Sequence, residues 1–134
     1  IARVLSGERP LTVWGDGTPI RDFIHARDVA LGMLKMVEQG ITEPVNLGSG
    51  DGVTIRKIVE VITSCFDEEI EVKWDTSKPS GDKLRIMDMT RAKSYGFSPS
   101  VSIDQGIRET IEWYVQNRKQ VSKRYNVFTE SKYF

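Results

Sequence analysis

The stretch Leu11-Thr12-Val13-Trp14-Gly15-Asp16-Gly17-Thr18-Pro19-Ile20-Arg21-Asp22-Phe23-Ile24-His25-Ala26-Arg27-Asp28 governs the reading of the whole chain. Two runs rich in β-branched and aromatic residues, Leu11 to Trp14 and Ile20 to His25, flank a Gly-Asp-Gly-Thr-Pro turn. Together they predict two strands meeting at a hairpin-like corner. Period-two alternation puts Arg21, Phe23 and His25 on one face. An arginine beside a glycine turn, with an indole close by, suits a ligand made of a planar ring and a phosphate. The indole stacks, and the guanidinium fork makes paired bonds to oxyanions. The plain alternative is Trp14 as a core anchor and Arg21 as a surface strand residue.

Outward from this stretch, helices and strands alternate without repeats or low-complexity linkers. Asp28 is expected to cap a helix in which Ala30, Met33, Leu34 and Val37 share a face that predicts contact with a core. Gly40 closes it. Pro44 to Ser49 reads as a short strand, and Thr54 opens a second amphipathic helix through Ile55, Ile58, Val59 and Ile62. Strands are expected near Ile70 to Trp74 and Leu84 to Asp88, then a short helix from Thr90 to Tyr95 ending at Gly96. Ser102 with Gln105 forms a capping box for a last helix striped by Ile103, Ile107, Ile111, Tyr114 and Val115. The pattern predicts an α+β fold: a small mixed domain with short strands and three main amphipathic helices. It has too few strand–helix–strand units for a doubly wound sheet, and no Gly-x-x-Gly-x-x-Gly follows an N-terminal strand.

Composition sets outer limits. The 134 residues suit one domain, and 19 Lys plus Arg balance 19 Asp plus Glu, so no global field draws the chain to nucleic acid or membrane. No apolar run approaches the roughly 20 residues of a membrane span. Cys65 is the only cysteine and reads as a buried, inert thiol in a reducing compartment, so a cytoplasmic location is expected. The chain opens at Ile1 inside what reads as the end of a helix, which suggests a segment of something longer. Residues 119–134 form a basic tail interleaved with Tyr125, Phe128, Tyr133 and Phe134, read as a docking tail or frayed terminus rather than a nucleic-acid contact.

The run from Trp14 to Asp28, the Asn46-Leu47-Gly48-Ser49-Gly50 segment and the stretch Ser77-Lys78-Pro79-Ser80-Gly81-Asp82-Lys83-Leu84-Arg85-Ile86-Met87-Asp88 carry a resemblance. Over residues 1–118 the sequence resembles the C-terminal part of extended short-chain dehydrogenase/reductases, the NAD(P)-dependent nucleotide-sugar epimerases, dehydratases and reductases. Within that family it is most similar to GDP-L-fucose synthases. The resemblance implies a substrate-binding domain, over 1–118, of a Rossmann-type epimerase. The NAD or NADP would be bound by an N-terminal Rossmann half of the same protein, and the parent would be a homodimer. It assigns Arg21 to the substrate pyrophosphate and Trp14 to the nucleotide side. Arg85 stands where the fucose synthases carry a lysine near the diphosphate. Ser80 replaces an acid that touches substrate in the Lys-Pro-x-Gly turn, which loosens any claim about the base or sugar. GDP-sugars are the first expectation, UDP- or dTDP-sugars the next.

No catalytic or cofactor-binding residue is expected in this segment. Tyr95, Tyr114, Tyr125 and Tyr133 lack a lysine four residues later, and Gly48-Ser49-Gly50-Asp51-Gly52 has the wrong spacing for a dinucleotide turn. His25 is expected to be structural, and one His with one Cys supplies no metal site. Asp67, Glu68, Glu69 and Glu71 read as a solvated edge, and Arg85 has Asp82 or Asp88 as a surface partner. Two classes stay open: the substrate-recognition part of a nucleotide-sugar enzyme, or a non-catalytic nucleotide-sugar binding or protein-interaction domain.

Overall fold

The computed structural model describes residues 1–120, so the tail expected at 119–134 lies, beyond its first two positions, outside the described residues. Five helices and five short strands follow one another as α1 (Ala2–Leu5), β1 (Leu11–Trp14), β2 (Ile20–Asp22), α2 (Ala26–Glu38), β3 (Gly52–Thr54), α3 (Ile55–Thr63), β4 (Val72–Asp75), β5 (Leu84–Arg85), α4 (Thr90–Ser94) and α5 (Ile103–Asn117). The fold is the small mixed α+β arrangement expected from the sequence. No helix among the described residues is long and apolar enough to cross a membrane.

β1 and β2 do not form the expected hairpin. β1 pairs in parallel with β4, from Leu11 opposite Val72 to Trp14 opposite Asp75. β2 instead lies between β3, antiparallel, and β5, parallel. The turn between them explains the separation. Gly15 and Gly17 take φ of +81° and +78°, open to glycine at little cost. The carbonyls of Gly17 and Pro19 accept the N–H groups of Arg56 and Ile55 at 2.9 Å each. Those N–H groups begin α3 and have no partner inside the helix, so the turn caps a helix rather than closing a ladder.

Thr54 caps α3 as expected, its hydroxyl accepting from the Lys57 N–H. Val59 packs with Val4, Leu11 and Ile70, while Val61, two residues on and on the other side of the helix, packs with Ile107 and Ile111 of α5. Ser102 accepts from the Gln105 N–H, but the Gln105 side chain donates to Glu109 at 2.8 Å, so the capping box is half made. The strand expected near 84–88 is short, ending at Arg85.

Four further expectations are corrected around α2. β2 stops at Asp22, and His25, not Asp28, is the N-cap, its Nδ1 accepting the Arg27 N–H at 3.3 Å. Asp28 sits in the first turn, 2% exposed, and accepts from Ser100 N (3.0 Å), Ser100 Oγ (2.8 Å) and Val101 N (2.9 Å). The stripe Ala30, Met33, Leu34 and Val37 faces outward, with Leu34 59% and Val37 77% exposed. Asp28, Gly32 and Met36 face inward instead. A buried carboxylate tied to residues 100–101, and a glycine so close to its neighbours that a Cβ would stand 2.8 Å from the Phe97 ring, set the rotation of the helix. Pro44 to Ser49, expected as a strand, joins no ladder among the described residues.

Candidate functional site

The middle of β2 places Arg21 opposite Arg85 of β5 and opposite Val53 of β3. Residues directly opposite in a ladder project to the same face, so the sheet sets two arginines side by side. Like charges in that position destabilise a sheet unless an anion sits between them. Arg21 Nη1 donates to the Ile20 carbonyl at 2.8 Å and the Asp82 carbonyl at 2.7 Å. Among the described residues both of its hydrogen bonds use Nη1, which leaves Nε and Nη2 for a ligand. Arg85 has Asp82 as its surface partner, Nε to Oδ2 at 4.0 Å with both side chains well exposed, a contact worth little in water.

Residues 76–83 bind the rest of the cluster together. Ser80 Oγ donates to Asp16 Oδ1 at 3.3 Å, and Ser80 lies so close to Gly15 that a Cβ there would stand 2.6 Å from the Ser80 hydroxyl. Trp14, one residue earlier at the end of β1, is 38% exposed and carries the Lys78 Nζ 5.6 Å from its ring centroid. Trp14 is therefore a half-open platform rather than a core anchor; Trp74 is the indole that packs inward. The expected site residues thus fall in two places: Arg21 lies opposite Arg85 across the ladder, and Ser80 lies against the turn that follows Trp14.

Sequence reading missed three groups here. Lys78 stood inside a stretch already singled out, and its signal was a cation within one turn of Ser80. Asp16 accepts from the Thr18 N–H and hydroxyl as well as from Ser80, and these bonds, Thr18 first, hold its carboxyl below the usual range. Asp22 is the third. Burial works against its charge, yet donors from Ser49, Met87 and Gly50 outweigh it and its carboxyl too is held low. An acid inside β-forming residues was the available signal.

Asp22 also decides what the Asn46-to-Gly50 turn does. The N–H groups of Ser49 and Gly50 point at its carboxylate, at 2.7 and 3.1 Å, so they are not a cradle for a phosphate. His25 Nε2 lies 3.7 Å from Glu109, whose carboxylate also takes the Arg27 guanidinium at 2.7 Å, a clasp between α2 and α5. No group of three His, Cys, Asp or Glu residues among those described is arranged to hold a metal. An open recess of about 440 Å³ beside Asp67, Glu68 and Glu69 is acidic and stands apart from the arginine pair.

Residues 1–110 match a family model described as GDP-mannose 4,6 dehydratase. GDP-L-fucose synthase 1 of Arabidopsis thaliana is 36% identical over 115 residues, which are 84% of this chain and 35% of that protein. A UDP-N-acetylglucosamine 4-epimerase from Methanobrevibacter ruminantium, solved with UDP-N-acetylmuramic acid, superposes with a TM-score of 0.75 at 28% identity, covering 87% of this chain and 37% of that one. A mutant UDP-glucuronic acid 4-epimerase from Bacillus cereus, solved with a fluorinated UDP-sugar and NAD, gives 0.73 at 26% identity over 85% and 37%. The chain spans about a third of the length of the curated relatives it matches.

Proposed function

The chain belongs to the GDP-mannose 4,6-dehydratase family of extended short-chain dehydrogenase/reductases, and from that premise we propose that it is the nucleotide-sugar-binding part of an NAD(P)-dependent epimerase or reductase. The observation that carries this is the register of β2 on β5, which sets Arg21 beside Arg85 with the loop at 76–83 held against them. A diphosphate laid across the pair turns an unfavourable like-charge contact into charge-assisted hydrogen bonds of about 1.5–3 kcal/mol each where partly desolvated. Trp14, partly exposed, offers its indole to the base, with the Lys78 ammonium nearby.

GDP-sugars are the first substrate class, supported by the fucose synthase relative, and UDP-sugars the next, supported by the ligand in the epimerase of similar fold. The nicotinamide would supply hydride transfer and is expected in a part of the enzyme beyond this chain; among the described residues, the Ser49 and Gly50 N–H groups of the glycine-rich turn are taken by Asp22. What these residues do is bind and orient: the cations fix the diphosphate, and the indole fixes the base. Titration of GDP into the full-length protein and into its Arg21→Ala and Arg85→Ala variants tests the reading. Each variant is expected to weaken binding at least tenfold, roughly 1.4 kcal/mol. Unchanged affinity in both would leave a fold without this role and favour an interaction module.

A further inference from the structure

Residues 81–88 are all exposed, so burial contributes little to holding β5 against the molecule. Arg85 lies within this segment, and its place rests on hydrogen bonds to β2. Before it in the chain, the Asp82 carbonyl accepts from the Arg21 guanidinium at 2.7 Å and the Lys83 carbonyl accepts the Ile20 N–H at 2.9 Å. After it the ladder ends, because β5 stops at Arg85. The next tie is made by a side chain: the Met87 N–H donates to Asp22 Oδ2 at 3.1 Å. One residue further on, the Asn46 amide donates to the Asp88 carbonyl at 3.2 Å. Arg85 is thus fastened two residues before and two residues after, by the first and the last residue of β2.

The Asp22 carboxylate is itself immobilised. Oδ1 accepts the Ser49 N–H at 2.7 Å and the Ser49 hydroxyl at 2.6 Å, and Oδ2 takes the Gly50 N–H at 3.1 Å as well as that of Met87. Gly48 comes so close that a Cβ there would stand 2.7 Å from Oδ2 and 2.8 Å from the Met87 side chain. Successive residues of a strand point to opposite faces, so Asp22 projects away from the face that carries Arg21 and Arg85. Its four donors are three backbone N–H groups and one hydroxyl. It therefore holds the strand without joining either arginine in an ion pair that an incoming anion would have to break.

We propose that Asp22 is a positioning residue for the diphosphate: it fixes the backbone at Met87 so that Arg85 stays opposite Arg21. This rests on the diphosphate reading and adds to it the group that keeps the second arginine in register. Without the carboxylate, the chain after Arg85 loses its nearest tie and swings on an exposed strand of two residues. An arginine that must be ordered again each time an anion arrives binds that anion more weakly.

Titration of GDP into the full-length protein, arranged as a double-mutant cycle, tests this. Asp22→Ala is expected to weaken GDP binding about tenfold in the wild type and less than about twofold in Arg85→Ala, because the carboxylate acts through that arginine. Asp22→Asn is expected to recover part of the loss, since an amide oxygen can still accept from Met87. With a GDP-sugar as substrate, KM is expected to rise in Asp22→Ala while kcat stays within about twofold, since contacts to the diphosphate are alike in ground and transition states. Amide exchange at Met87 is expected to quicken at least about tenfold in Asp22→Ala while the α3 amides keep their protection, which separates a loosened strand from an unfolded protein. Unchanged affinity in Asp22→Ala, or an equal loss in both backgrounds, overturns the proposal. Either result beside a weakened Arg85→Ala leaves the diphosphate reading standing, whereas an unaffected Arg85→Ala removes that reading and the proposal with it.

Discussion

At the scale of single residues, Arg21 shows how much a register position adds to a sequence motif. A lone exposed arginine is a solvated charge; the same residue fixed by the Ile20 and Asp82 carbonyls next to a second arginine is held in place for the binding role proposed above. In the full-length enzyme, Arg21→Ala is expected to lower kcat/KM by about 2 kcal/mol or more, and Arg21→Lys to recover only part, because an ammonium lacks the two-pronged geometry. Steady-state kinetics with a GDP-sugar on folded variants check it. Asp28 carries a prediction about stability. Burial opposes its ionisation, but the bonds from Val101 and Ser100, with His25 nearby, hold its carboxyl below the ordinary range. A carboxylate with a depressed folded value stabilises fully above the unfolded value near pH 4, and that contribution is lost as pH falls through the folded one. Asp22 acts in the same direction. Asp28→Asn turns an amide toward N–H donors and is expected to cost about 1–3 kcal/mol at neutral pH, and to flatten the loss of stability below about pH 4. Denaturant melts at pH 7 and pH 3 measure both effects.

At the scale of elements, the turn between β1 and β2 controls the site from beneath. Gly15 has a positive φ and touches Ser80, so a methyl group there is strained by its backbone and collides with the loop that holds Asp82 against Arg21. Gly15→Ala is therefore expected to loosen residues 76–83 and weaken GDP binding roughly tenfold, with only a small change in α3, whose N-terminus bonds to Gly17 and Pro19. Calorimetric titration and the far-ultraviolet melt separate the two effects; a large melting shift with unchanged affinity would refute this role of the turn. The same scale explains why α2 was misjudged. Its hydrophobic periodicity was read correctly as an apolar face, but periodicity does not say which partner covers it.

At the scale of the whole molecule, the proposed clamp would grip a diphosphate, a group common to many nucleotide sugars. With Ser80 where the family resemblance implies an acid, one hydroxyl replaces two acceptor oxygens, so discrimination among bases by this part is expected to be weak. GDP, UDP and dTDP are expected to bind the full-length protein within about a hundredfold of one another, roughly 2.7 kcal/mol, and a wider spread by calorimetry would show base recognition here. The 134-residue chain alone is expected to oxidise no NAD(P)H with any nucleotide sugar, and measurable turnover would disprove this.

Local chemistry made much of the molecule legible in advance. Thr54 and Ser102 cap α3 and α5 because a hydroxyl beside a helix start satisfies an orphan N–H, and this needs no distant partner. The apolar stripe of α3 is inward because a short helix flanked by strands has a core on that side. Which strands pair was not legible. The backbone hydrogen bonds that join β2 to β5 link residues more than sixty positions apart, and no local pattern encodes them. The rotation of α2 was hidden for a related reason: it is set by Ser100 and Val101 bonding a buried Asp28 from the far end of the chain. The motifs therefore named Trp14, Arg21, Ser80 and Arg85 one by one, while long-range pairing alone set the two arginines side by side, because a ladder's register is fixed by contacts that exist only once the chain has folded.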